Sequence, residues 1–408
     1  MTPHKSVFIV GIKGVAMTGI ATILSQMKVT VHGSDTLEAQ ITDSVLTGLG
    51  IDIVPLDQAL PEGTHLVIYS AAHGGAQSIQ VTEARTKGIA IQHQAEWIAE
   101  YTKSFTTSIA VCGCHGKTGT SALLAYTLDN LGAKVSWLVG TSGFSGLQGG
   151  RHEPGAEVFV FEADEYALAP PSDLTPKLEL YSPTHIICTN IDFDHPDVYR
   201  DLAHTTQVFR DFFKKASWVY ECNSTSIEGN KKGIVAALHQ LGYTTHDIEK
   251  SMEGFGGAKR RLEHYGHHHG VDYYDDYGHH PAEITATIHA IRKLHPNQRL
   301  LVMFQSHTYS RTQALKNEFV DALSHADQVY IDQIFPSARE KPGVEKITSH
   351  DLELIAQSKG YSHIHGYGTR TKLLSQVQKD RKSGDVILAI GAGDIYKVID
   401  VLVTSSVL

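Results

Sequence analysis

Ser108-Ile109-Ala110-Val111-Cys112 runs without a break into Gly113-Cys114-His115-Gly116-Lys117-Thr118-Gly119-Thr120, and then into an apolar helical pattern at Leu123, Leu124, Leu128 and Leu131. A buried strand, a glycine turn and a helix in that order make a phosphate-binding loop. The glycines let backbone N–H groups converge on phosphate oxygens, and the helix N-terminus adds partial positive charge. Lys117 is placed to reach β/γ-phosphates, and the Thr118 hydroxyl to ligate Mg²⁺. The full Walker pattern needs glycine at Val111 or earlier, so the loop is a shortened variant. A glycine turn with a solvated lysine is the plainer reading, and the strand–loop–helix context argues against it.

On either side the same alternation continues, the mark of α/β layers around parallel sheets. Downstream, Val158–Phe161 ends at Glu162 in Glu162-Ala163-Asp164-Glu165, and Ile186–Thr189 leads to His195 through Asn190-Ile191-Asp192-Phe193-Asp194. Ligands bind at the carboxyl ends of such strands, so both groups are expected to face the loop, where acidic residues hold a nucleotide's metal. Upstream, Val7–Val10 and a turn containing Gly11, Gly14, Val15 and Ala16 precede a helix, with Asp35 after the second strand and Ser70 after Leu66–Tyr69. By itself this turn is a weak Rossmann hint, because its spacing is not G-x-G-x-x-G. Beyond Gly256–Arg261 lie a hairpin (Tyr265 to Tyr274), a helix opening at Pro281, and strands at Leu300–Phe304, Val329–Asp332 and Val386–Ile390. These elements predict an α/β protein of three domains: Rossmann-like at 1–104, a P-loop domain at 105–262, and Rossmann-like at 263–408. Polar Thr102-Lys103-Ser104 and glycine-rich Gly256–Arg261 are the expected junctions.

Composition narrows the function. A net charge of -9 leaves no basic stripe for nucleic acid. No apolar run is long enough to span a bilayer, so no membrane partner is expected. The cysteines Cys112, Cys114, Cys188 and Cys222 follow neither a zinc nor a disulfide pattern, which suits a reducing cytoplasm.

Taken together, Gly113–Thr120, Glu162–Glu165, Asn190–His195, Phe255–Arg261, Asp275–Pro281, Phe304–Thr312 and Gly391–Asp394 resemble the Mur ligases over nearly the whole chain. That family joins an amino acid to a UDP-linked muramyl precursor using ATP. The resemblance implies an ATP-dependent ligase whose partners are UDP-N-acetylmuramate and L-alanine, working in peptidoglycan precursor synthesis as a monomer or homodimer. It implies that Gly113, His115, Gly116, Lys117, Thr118, Gly119, Asn230, Arg261 and Asp276 contact ATP. Thr118, Glu162 and His195 would hold Mg²⁺, or Mn²⁺ given the imidazole. Lys117, Glu162 and His195 would be catalytic. Gly11, Gly14, Val15, Ala16, Asp35 and Ser70 would bind the UDP-sugar, and Tyr277, His279 and Arg311 the amino acid. Two alternatives stay open: a recycling ligase that attaches a peptide to the same UDP-sugar, and a nucleotide-binding paralogue without catalysis.

The chain departs from the family pattern at several positions. The family has Gly at Lys13 and Ala16, Thr at Cys114 and Gly119, and Asn at Ile227; some members have Arg at Thr308. Trp218–Asn230 replaces a much longer segment. Lys13 either adds a cation near the UDP phosphates or points to solvent. Cys114 is read as a small residue that fits rather than a redox thiol. His267-His268-His269 is read as a solvated hairpin tip rather than a metal site.

Overall fold

The computed structural model describes residues 4–195, 197–336 and 347–404. The chain divides into two compact units between Ala258 and Lys259, inside the glycine-rich stretch.

The first unit holds two main sheets. Strands β1 (Ser6–Val10), β2 (Thr30–Ser34), β3 (Ile53–Val54), β4 (Leu66–Tyr69) and β5 (Ala90–His93) form a parallel sheet in the order β3-β2-β1-β4-β5. Val7, Phe8, Ile9 and Val10 are all buried, as a central strand covered on both faces requires. The order reverses between β1 and β4, and the glycine turn after β1 occupies that switch point, where doubly wound sheets bind ligands. The next strands are β6 (Thr107–Cys112), β7 (Val135–Phe144), β8 (Leu147–Arg151), β9 (Val158–Glu162), β10 (Ala167–Ala169), β11 (Asp173–Pro176), β12 (His185–Cys188) and β13 (Trp218–Glu221). Six of them form a sheet ordered β13-β12-β6-β9-β7-β8, parallel except for β8, while β10 and β11 make a separate antiparallel ribbon.

One apolar cluster runs from Val7 and Ile20 in the first sheet's layer to Phe159 and Phe209 in the second. The helix Val15–Gln26 lies against β7 and β8. A Cβ at Gly19 would sit 2.4 Å from Leu138 Cδ1, and one at Gly150 would sit 2.2 Å from the Gly19 carbonyl oxygen. Glycine at both positions therefore lets the backbones touch. The expected linker is not a free spacer. Thr102 ends the helix Gln94–Thr102, is buried, and donates its hydroxyl to the Ile98 carbonyl.

The second unit has strands β14 (Glu263–His268), β15 (Val271–Asp276), β16 (Leu300–Phe304), β17 (Gln328–Ile331), β18 (Ile364–Gly366) and β19 (Val386–Ile390), in the order β14-β15-β19-β16-β17-β18. Only the edge strand β14 is antiparallel. The helix Pro281–Leu294 starts at its proline and buries Ile284, Ile288 and Ile291; His280 caps it, with Glu283 completing a capping box. The histidine run is a solvated tip. His267 and His269 are exposed, His269 has φ +52°, and His267 pairs with Asp272.

Candidate functional site

The phosphate loop follows β6 directly, and Lys117 opens the helix Lys117–Asn130. Gly113 has φ +129°, and a Cβ there would lie 2.1 Å from Thr189 Oγ1, so no other residue fits. The end of β12 fixes the loop's shape. The Asn190 side-chain oxygen accepts the His115 N–H at 3.1 Å, and its amide donates to the carbonyls of His115 and Ser224, each at 2.9 Å. The Thr189 hydroxyl donates to the carbonyls of Cys112 and His115. Asn230 is fully buried and donates to the Thr120 hydroxyl at 3.0 Å, which in turn donates to the Gly116 carbonyl at 2.8 Å. It braces the loop from behind. His115 and Thr118 are also buried.

Lys117 Nζ donates to the Gly113 carbonyl (2.7 Å), the Cys114 carbonyl (3.1 Å) and Glu165 Oε2 (2.7 Å). Burial alone would lower its pKa. The carboxylates of Glu165, Asp164 and Glu162 more than offset that, and the pKa is raised. Glu162 ends β9 and pairs in register with Val111 of β6; its Oε2 accepts the Gly140 N–H at 3.1 Å. His195, in the left-handed region at φ +60°, has Nε2 3.6 Å from Glu165 Oε1 and 3.6 Å from Asp194 Oδ2, and its ring lies 4.5 Å from Tyr166. Glu165, Asp194 and His195 each offer a ligand atom within 4.8 Å of the others. This donor set of two carboxylates and an imidazole suits a divalent cation, Mn²⁺ as well as Mg²⁺. Glu162 is not in that group. Glu165, Asp194 and Asn190 lie inside strings the sequence singled out, yet only the folded contacts reveal what they do.

Two departures from the family pattern meet in space. A Cβ on Gly119 would lie 2.8 Å from Cδ1 and Cγ1 of Ile227, so the small residue at one position makes room for the large one at the other. Cys114 is buried between hydrogen bonds to the Asp192 backbone, and burial foremost pushes its thiol pKa up. It is an inert, space-filling residue.

In the first sheet, Asp35 is buried, and its two oxygens accept the N–H groups of Lys13 (2.8 Å) and Thr36 (2.7 Å), holding the turn of Gly11 and Gly14. Lys13 does not simply point to solvent. Its ammonium donates to the Glu38 carbonyl at 2.7 Å and pairs with Asp43 at 3.4 Å. Val15 and Ala16 begin the helix after the turn, and Ser70 follows β4 with its hydroxyl accepting the Ala72 N–H. Ala16 and Glu162 line one cavity of about 110 Å³, so the start of the helix after the glycine turn and the second sheet's acidic strand end share a space.

In the second unit, Asp276 ends β15 and accepts the N–H groups of Leu262 and Gly278, both at 2.7 Å. Burial foremost raises its pKa, against the pull of Arg261. Arg260 and Arg261 each stand 5.1 Å from the Tyr277 ring. Arg260 also bonds Asp275 (2.9 Å) and the carbonyls of Gly391 and Gly393. His279 sits beside the Tyr277 ring, and its N–H donates to Glu283. Arg311, buried on the helix Tyr309–Ala314, donates its N–H to the Thr308 hydroxyl. Thr308 itself holds φ +70°, a strained conformation for a β-branched residue. Arg261, Asp276, Tyr277, His279 and Arg311 thus come from the carboxyl end of this sheet's parallel strands, Arg261 by way of the antiparallel β14 that starts there.

A family model described as "Mur ligase family, catalytic domain" matches residues 6–106, and one described as "Mur ligase, glutamate ligase domain" matches residues 260–393. The chain is 32% identical to a UDP-N-acetylmuramate–L-alanine ligase of Ligilactobacillus salivarius over 456 aligned positions, covering 97% of this chain and 96% of that one. The chain belongs to the Mur ligase family. A Lactococcus lactis protein of the same name is 31% identical, with 86% of this chain and 88% of that one covered. Among solved structures, the Thermotoga maritima UDP-N-acetylmuramate-alanine ligase matches at TM-score 0.77 and 22% identity, covering 98% of each chain. The murein peptide ligase of Psychrobacter arcticus matches at 0.67 and 19%, again with 98% of each covered. The fold is therefore the Mur ligase fold, with a P-loop sheet that follows one Rossmann-like sheet in the chain and precedes another. The first alignment is longer than this chain of 408 residues, so gaps fall on this chain's side, in keeping with the short Trp218–Asn230 stretch.

Proposed function

We propose that the chain is an ATP-dependent ligase that joins L-alanine to UDP-N-acetylmuramate through an acyl phosphate, an early step of peptidoglycan precursor synthesis in the cytoplasm. The observation that carries the reading is the shared cavity of Ala16 and Glu162, because the reaction must bring a sugar-borne carboxylate to the phosphate of a nucleotide. In this reading the lactyl carboxylate oxygen attacks the γ-phosphorus and ADP leaves. The amine nitrogen of alanine then attacks the acyl carbon and phosphate departs from the tetrahedral intermediate. Two anions meet in the first step, so the buried Lys117 ammonium offsets their repulsion where charge develops. Thr118, Glu162 and His195, joined by Glu165 and Asp194, would hold the divalent cation, whose charge neutralises phosphate oxygens when bound. Gly11, Gly14, Val15, Ala16, Asp35 and Ser70 would seat the UDP-sugar, with Asp35 acting by shaping the turn. Asn230 would act on ATP by bracing the loop, and Gly113, His115, Gly116 and Gly119 by forming it. Arg261, at the end of the second domain, and Asp276 of the third would serve ATP, and Tyr277, His279 and Arg311 of the third the amino acid. We take the three sheets as three domains, at 1–104, 105–262 and 263–408.

The test is phosphate release from ATP with UDP-N-acetylmuramate, Mg²⁺ and single amino acids or peptides. Release that requires both the UDP-sugar and L-alanine is expected. Release only with a peptide would assign the recycling reaction instead, and none with any acceptor would remove the ligase reading.

A further inference from the structure

The cavity that Ala16 and Glu162 share is also lined by Gln94, Leu138, Asp164 and Lys177. Lys177 is the one cation among the described residues that line it, and the reaction needs one there. The cation that Glu162 would help to hold serves the phosphate oxygens, so a carboxylate entering beside Asp164 is repelled unless a further positive charge meets it. Lys177 is 7% exposed and sits just after the β10–β11 ribbon, where its N–H donates to the Tyr166 carbonyl at 3.0 Å. Its ammonium pairs with Asp164 and lies 5.9 Å from the Tyr166 ring centroid. Asp164 is more open than Lys177, and both line the cavity. The neighbouring His93 adds no charge. Burial first, and the Lys177 ammonium second, hold its pKa down to about 4.

We propose that Lys177 is a substrate-binding residue whose ammonium receives the lactyl carboxylate of UDP-N-acetylmuramate at the point where it meets the nucleotide. The inference rests on the function proposed above and deepens it. Lys177 gives the site a way to select a UDP-sugar that bears a carboxylate over one that does not. It also orients the nucleophilic oxygen by sharing the ammonium between Asp164 and the substrate. Lys117, on the opposite side of Glu162 in the chain, is committed to the phosphate loop.

The test is equilibrium binding, by calorimetry on the full chain, of UDP-N-acetylmuramate and of UDP-N-acetylglucosamine, which lacks the lactyl group. Wild type is expected to prefer the first by roughly tenfold or more, the usual worth of a charge-assisted hydrogen bond. Lys177→Gln is expected to reduce that preference to within about twofold, and Lys177→Arg to keep part of it. Because Lys177→Gln leaves Asp164 without its partner, the charge-neutral pair Lys177→Gln/Asp164→Asn serves as a second variant that should fold and lose the preference equally. If wild type prefers the muramate and both charge-removing variants retain that preference, this inference falls and the ligase reading stands. If wild type binds neither UDP-sugar, both fall.

Discussion

Glu165→Gln isolates the charge that holds the phosphate-loop lysine. Lys117 Nζ lies 2.7 Å from Glu165 Oε2, with the two side chains 12% and 2% exposed. At that distance and an effective dielectric of about 20, the attraction is about 6 kcal/mol before desolvation is charged against it. Gln keeps a hydrogen-bond acceptor, and Asp164 and Glu162 continue to pull on the ammonium. The loss should therefore settle near 3 kcal/mol, the lower end for breaking a buried pair from one side. Adding Lys117→Met removes the stranded charge, so the double variant should recover most of that loss. Trp97, Trp137 and Trp218 all belong to the first unit, so urea unfolding followed by tryptophan fluorescence in EDTA reports on that unit alone. The raised Lys117 pKa fixes the sign of the pH dependence. A lysine whose pKa rises on folding contributes its full stability below the unfolded value, near 10.4, and loses it only as pH climbs through the folded one. The Glu165→Gln penalty should thus be flat between about pH 6 and 9. A Glu165→Gln protein within about 0.5 kcal/mol of wild type, or a double variant no more stable than the single, would refute the reasoning.

Three further outcomes are expected. Gly119→Ala should be destabilising or neutral in the wild-type background but stabilising by about 1 kcal/mol once Ile227→Ala has cleared the 2.8 Å contact; an additive cycle in urea unfolding would mean the two positions do not constrain each other. Asp275 is fully buried, and burial foremost, against Arg260, pushes its pKa up to about 6. The folded state then binds more protons than the unfolded one between about pH 4 and 6, so stability falls as pH rises through that window. Hydrogen exchange of β15 and β19 amides should show this slope in wild type and not in Asp275→Asn. Finally, native protein should leave Cys114 unalkylated by iodoacetamide at pH 8, while the half-buried Cys222, whose thiol burial pushes up to about 11, labels only slowly; rapid labelling of Cys114, read by peptide mass mapping, would contradict its inert reading.

The sequence alone carried the local elements. β16, β19 and the helix Pro281–Leu294 lie where runs of β-branched residues, a proline start and 3.6-residue spacing put them, because those signals act within a few residues. The phosphate loop was legible for the same reason: glycine conformation, lysine and helix start are contiguous. Tertiary structure alone decided which distant groups complete the loop. Glu165 lies 48 residues from Lys117 and Asn190 75 from His115, and no periodicity encodes those distances. It also set β9 between β6 and β7, put the last strand, β19, inside the third sheet, and brought Ala16 to Glu162 and Lys177. Backbone pairing and burial fix such neighbours only once the layers stack. Residues that pack a core announce themselves by pattern, whereas a charge matched to a charge across the fold has no local signature until burial makes an unpaired ion too costly to keep.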